Sequence, residues 1–316
     1  AGKRLRKNGK GFCGSCGQEP EGRRTMEYTI KNQQLSVTVS DFGGELRSVR
    51  GGDGTEYLWQ GDPRFWKDRA PNIFPYVARL TGEKYTLKGR EYQMKIHGFV
   101  KYTTLELETQ SEDSLTFVLK PDEEIKKQYP FDFIYRITYR LQQAALLIEH
   151  QVENLGEERM YFGIGGHPGF QVPLEQGLAF EDYQLKFSAP CRPWRVGFTP
   201  DCFLNGQDQE YPLKGGQVIP LRHSLFDQDA VVLKHADREV TLCSEKGSRG
   251  VTVTYPDFPY IGFWHKPETQ APYVCIEPWS SLPSRKGIQE DLSQQSDLIC
   301  LEGHKTWESC WKIQIF

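Results

Sequence analysis

Apolar residues in this chain recur at every second position, and that period limits what it can fold into. Leu35-Ser36-Val37-Thr38-Val39 alternates, as do Leu105-Glu106-Leu107-Glu108 and Leu115-Thr116-Phe117-Val118-Leu119. Ile134-Tyr135-Arg136-Ile137-Thr138-Tyr139-Arg140-Leu141 is the longest such run. Others lie at Leu146 to Val152, Tyr161 to Ile164, Val231 to Leu233, Val240 to Leu242, Val251 to Tyr255, Tyr273 to Ile276 and Trp311 to Ile315. A repeat of two sends alternate side chains to opposite faces of a strand, whereas a helix needs about 3.6. The runs are rich in β-branched and aromatic residues and are separated by Gly, Asp, Asn and Pro turns, as antiparallel sheets require. Gly51-Gly52-Asp53-Gly54 reads as a hairpin turn, because no Gly-Lys-Ser/Thr follows to make a phosphate loop. Helical signals are confined to Pro121 to Lys127 and Gly287 to Asp291, a turn or two each. The expected fold class is all-β: a large antiparallel sandwich with few short helices.

A chain of 316 residues could hold one large β domain or two ordinary ones. No boundary interrupts the strand runs, so residues 26–316 are expected to form a single domain. Residues 1–25 are basic, Gly-rich and nearly free of large aliphatics, and cannot bury enough apolar surface to order themselves. They read as a disordered leader, a vector-derived remnant or a mis-called start. Cys13-Gly14-Ser15-Cys16 within them could be half a zinc site or a redox pair, but no second CxxC or His pair completes it, so no metal is expected. A net charge of −3 gives no bias toward nucleic acid or membrane surfaces. No apolar run approaches the roughly 18 residues that span a bilayer. The start lacks the apolar segment of a secretory signal. Most of the eight cysteines sit singly in apolar stretches, which suits reduced thiols in a cytoplasmic protein.

Four residues carry candidate chemistry in short local signatures. His167 lies in Gly165-Gly166-His167-Pro168-Gly169-Phe170, where glycines permit close backbone approach and an imidazole can act as acid or base near neutral pH. Glu277 follows the apolar Tyr273-Val274-Cys275-Ile276 at a strand end; partial burial there would raise its pKa, as a general base requires. His97, in Ile96-His97-Gly98-Phe99, and Arg79, in Pro75-Tyr76-Val77-Ala78-Arg79, could hold hydroxyls or a carboxylate. Each also has a plain structural reading: a turn histidine, an ion-paired acid, a strand-edge histidine, a surface arginine. Asp227 and Asp229 precede the strand run at Val231 and could be turn formers or ligand contacts. Trp264 and Trp279 could line a carbohydrate cleft, though core packing is the commoner use.

Together these motifs resemble the aldose 1-epimerase (galactose mutarotase-like) superfamily, most nearly its LacX-type branch. The matching pieces are Asn72 to Arg79, His97-Gly98-Phe99, Gly166-His167-Pro168-Gly169-Phe170, Leu225-Phe226-Asp227-Gln228-Asp229-Ala230 and Ile276-Glu277-Pro278-Trp279. Gly166 and Pro168 stand where many mutarotases have Asn and an aromatic, as expected for that branch. The resemblance implies a β-supersandwich that needs no cofactor or metal. It implies Glu277 as the base at the C1 hydroxyl of a pyranose and His167 as the acid at the ring oxygen. Arg79, His97 and either Asp227 or Asp229 would bind the sugar. The implied activity is anomer interconversion of a free hexose, by a monomer or homodimer. Alternatives are a hexose 6-phosphate epimerase, with Arg64, Lys67 or Arg69 on the phosphate, and a non-catalytic carbohydrate-binding or regulatory protein.

Overall fold

The computed structural model describes residues 25–316. The reading of residues 1–25, including Cys13 and Cys16, lies outside the described residues except at its last position. The alternating runs form strands, and all strand pairs are antiparallel. One sheet has nine strands, in the order Val218–Pro220, Tyr183–Phe187, Glu239–Ser244, Val251–Thr254, Thr306–Ile315, Ala145–Asn154, Phe133–Gln142, Ser114–Leu119 and Glu106–Gln110. A second has eight strands. Its path runs Gln209–Glu210, Trp194–Arg195, Val231–Lys234, Tyr260–Trp264, Tyr273–Trp279, Gly165–Gly166 and Asn72–Ile73, with Gly169–Gln171 also paired to Tyr273–Trp279. A three-stranded sheet covers Glu27–Lys31, Leu35–Ser40 and Leu46–Gly51. One large apolar cluster joins these sheets, drawing Val37, Ile137, Ile148, Phe263, Val274, Ile276 and Ile313 into a common core.

The α-helix Glu123–Gln128 follows Pro121, as the sequence suggests. Asp122 caps it by accepting from the Ile125 N–H at 2.9 Å, and acids begin it while lysines end it, which complements its dipole. Gly287 to Asp291 does not become helical. There Gly287 turns at φ +71°, Glu290 pairs with Arg285, and the Glu290 carbonyl accepts from Thr86, so tertiary bonds take the backbone groups a helix would use. The turn at Gly51 closes with the Gly54 N–H on the Gly51 carbonyl at 2.9 Å.

The strand Tyr273–Trp279 passes through Glu277 instead of ending there, and all seven of its residues are buried. Pro278 is tolerated inside the sheet because only one bond is omitted. Ile276 and Ser280 on either side donate to the carbonyls of Pro168 and Ile164. Val274 and Ile276 face the main core, while Tyr273, Cys275 and Trp279 belong to a second cluster with Trp59, Trp66, Ile73, Val77, Cys202 and Trp264.

Candidate active site

The sheet register brings the two principal candidates together. Gly165 pairs with Trp279 and Gly169 with Cys275. Continued through the break at His167-Pro168, the same register sets His167 opposite Glu277, and directly paired residues point to the same face. His167 Nε2 lies 3.3 Å from Glu277 Oε2, and both side chains are closed to solvent. On the other side Glu277 pairs with Gly262, which adds no side chain to crowd the carboxylate. Gly166 is required by packing: a Cβ there would stand 2.5 Å from Cζ2 of Trp311 in the nine-stranded sheet. The His167 N–H donates to the Pro71 carbonyl at 3.1 Å, fixing the break in the strand.

His97 arrives from a separate loop. It and Gly98 adopt φ of +64° and +75°, and a side chain on Gly98 would collide with the Phe74 carbonyl. The tight turn locks onto the segment that leads to Arg79: Phe99 N–H donates to Phe74 O, and His97 N–H to Ala78 O. The Ala78 N–H donates to His97 Nδ1 at 3.2 Å, which leaves the proton of the neutral ring on Nε2. The His97 and His167 rings meet edge to face with centroids 5.5 Å apart. Arg79 is half-buried near enough for its charge to act on His97 and on Cys202.

The two aspartates separate cleanly. Asp229 is buried, accepts from the Cys202 thiol at 3.1 Å, and its charge acts on Glu277. Asp227 is exposed, and its charge falls instead on His223 and His265. Arg64 pairs with Asp62 at the surface, and Arg69 donates to Gln60 and the Arg47 carbonyl.

Burial governs the electrostatics. It raises the pKa of Glu277 well above the usual carboxylate range, with Asp229 adding to the rise and the Trp279 indole opposing it. It lowers His167 to about 3, assisted by the Lys101 ammonium. His97 is lowered well below its ordinary value by burial, then by His167, Lys101 and Arg79. Desolvation penalises every charged form here, so the resting pair holds one proton and no net charge. The 3.3 Å contact between Glu277 and His167 lies outside ordinary hydrogen-bond geometry.

Trp66, Lys101, Cys202 and Cys275 also belong to this region, and the sequence does not single them out. Trp66 lies over His167 at 4.9 Å, and Trp264 meets the same ring at 5.6 Å. Trp66 sits in an aperiodic, charged stretch held by three contacts: Trp59 Nε1 donates to its carbonyl at 2.8 Å, Lys101 pairs with Asp68 at 3.0 Å, and Arg69 N–H donates to Glu45 at 2.7 Å. A lysine as buried as Lys101 is a signal visible only once its neighbours are known. By sequence Cys275 is one more residue of an apolar strand run.

The aldose 1-epimerase family model matches residues 26–291. Plasmid-borne protein LacX of Lactococcus lactis is 35% identical over 292 residues, spanning 89% of this chain and 97% of that protein. A galactose mutarotase-related enzyme from Lactobacillus acidophilus superposes with a TM-score of 0.88 at 33% identity, over 92% of this chain and 97% of that one. A galactose mutarotase-like protein from Lactobacillus casei gives 0.86 at 29% identity, over 92% and 100%. With a match of this extent across sequence and fold, the chain belongs to the aldose 1-epimerase family.

Proposed function

We propose that this protein is a cofactor-independent aldose 1-epimerase that interconverts the α and β anomers of a hexose such as galactose or glucose. The observation that carries the reading is the buried Glu277–His167 pair, 3.3 Å apart on facing strand positions. A pair holding one proton suits this chemistry. With the proton on His167, the Glu277 carboxylate takes the C1 hydroxyl proton, the C1–O5 bond breaks as the aldehyde forms, and His167 protonates O5. The pair is then left as neutral imidazole and protonated Glu277, the state that burial favours. Rotation about C1–C2 and the reverse transfers close the other face. Each positioned transfer contributes about 10²–10⁴-fold.

Arg79, His97 through its Nε2 proton, and Asp229 are the proposed sugar-binding groups; the exposure of Asp227 favours Asp229 over it. Because the pair is closed to solvent, a pyranose reaches it only when side chains packed around it, Trp66 among them, shift. The test is anomer exchange of α-D-galactose and α-D-glucose, followed by polarimetry or NMR, with wild type, Glu277→Gln and His167→Asn. Acceleration by wild type and its loss in both variants is expected. Equal rates in wild type and variants would sink the assignment.

A further inference from the structure

We propose that His167, Cys275 and Glu277 form a site for a zinc-class divalent cation, which inhibits the protein by occupying its acid and base together. One ligand atom from each residue lies within 4.8 Å of the other two, and all three side chains are buried. The sheet explains the convergence. Cys275 and Glu277 are two apart on one strand and share a face, while His167 reaches the same face from the facing strand. Gly169, opposite Cys275, adds no side chain, and Trp59 and Trp66 pack within 3.1 Å of where its Cβ would stand.

The chemistry of the set points to the class of ion. One sulfur, one nitrogen and one oxygen suit a borderline-soft cation and do not suit magnesium or calcium, which prefer all-oxygen cages. Bonds of about 2.0–2.3 Å place tetrahedral zinc ligands roughly 3.3–3.6 Å apart, so the three atoms must draw together by about 1 Å. A second observation concerns how the ligands are paired: His167 and Glu277, both closed to solvent, face each other at 3.3 Å outside ordinary hydrogen-bond geometry. A bound dication would satisfy both and offset the cost of a buried carboxylate. Three protein ligands leave one position open for water or a sugar hydroxyl.

The binding half stands alone, and the inhibitory half rests on the proposed epimerase activity. Co²⁺ is the optical probe for binding and Zn²⁺ the probe for inhibition, each with wild type, Cys275→Ser and Cys275→Ala, whose melting curves report that they fold. Cys13 and Cys16 contribute equally to all three proteins and cancel in difference spectra. The expected result is a thiolate-to-cobalt charge-transfer band in the difference spectrum of wild type minus either variant. Micromolar Zn²⁺ should slow anomer exchange by wild type, with at least tenfold weaker inhibition in the variants, each protein compared with its own metal-free rate. A cobalt spectrum independent of Cys275, or zinc inhibition equal in all three proteins, overturns the proposal. If wild type turns over no sugar, the epimerase reading fails and the cobalt spectrum still decides the site.

Discussion

The two faces of the strand Tyr273–Trp279 are equally buried and chemically opposite. Toward the main core it presents Val274 and Ile276, which are fully enclosed among aliphatic and aromatic neighbours. Toward the second cluster it presents Cys275 and Glu277 among tryptophans, with His167 across the ladder. Burial on the first face releases water from apolar surface and stabilises the fold. Burial on the second strips water from an acid and a base, which costs stability and shifts their protonation. One strand therefore supports the fold with its even-numbered residues and the candidate site with its odd-numbered ones.

This contrast can be broken most sharply at adjacent residues. Glu277→Gln should lower the anomer exchange rate by about 10²–10⁴-fold while the variant melts at or above the wild-type temperature, because a costly buried carboxyl is removed. Ile276→Ala should do the reverse, costing about 2–5 kcal/mol in denaturant unfolding while the folded fraction keeps its rate. A variant pair losing both properties to the same degree would show that the faces are not separable.

pH sharpens the same division. His150, buried in the main core, accepts from Trp311 Nε1 and is lowered to about 3. The unfolded chain binds its proton first, so this contribution is present above about pH 6.5 and is lost as pH falls toward 3, by up to about 1.4 kcal/mol per pH unit. Glu277 acts in the opposite sense. Its folded pKa is raised, so the stability linked to its protonated form is present below about pH 4.5 and declines as pH rises through the folded value. Unfolding free energy measured across this range should lose its acid slope partly in His150→Gln and its alkaline decline in Glu277→Gln. Catalysis should fall on the alkaline side as the pair gives up its single proton.

The smallest effects distinguish the two aspartates. Asp229→Asn is expected to raise KM for the sugar by about tenfold and to ease Glu277 ionisation, moving the alkaline limb to lower pH. Asp227→Asn, at the surface, should change the rate by less than about twofold. Equal effects would place both residues against substrate.

Much of this was legible in the sequence for a physical reason. Period two survives any arrangement of the strands, so the long runs announced the sheets. The motifs around His167 and Glu277 marked two unusual polar positions. Register was not legible: Gly165–Gly166 and Asn72–Ile73 are two-residue strands with no apolar pattern of their own, yet they bring His167 to Glu277. The ambiguity between Asp227 and Asp229 likewise turns on a single peptide at φ +72°, which local composition does not encode. Trp66 and Lys101 act through contacts made only after the chain closes.

Trp311 presses on Gly166 from one side and bonds His150 from the other, at a sequence distance of 161 residues. Its strand, Thr306–Ile315, lies between Val251–Thr254 and Ala145–Asn154, in the middle of the nine-stranded sheet. That sheet cannot zip up progressively from one edge, because its centre is supplied from far along the chain. Folding must close a long loop before the central ladder yields any stabilisation, which makes it slow for the size of the protein. Until then two unfinished sheet edges stand open to other chains, so the interval after denaturant dilution, or a crowded synthesis, is when this protein is most exposed to aggregation.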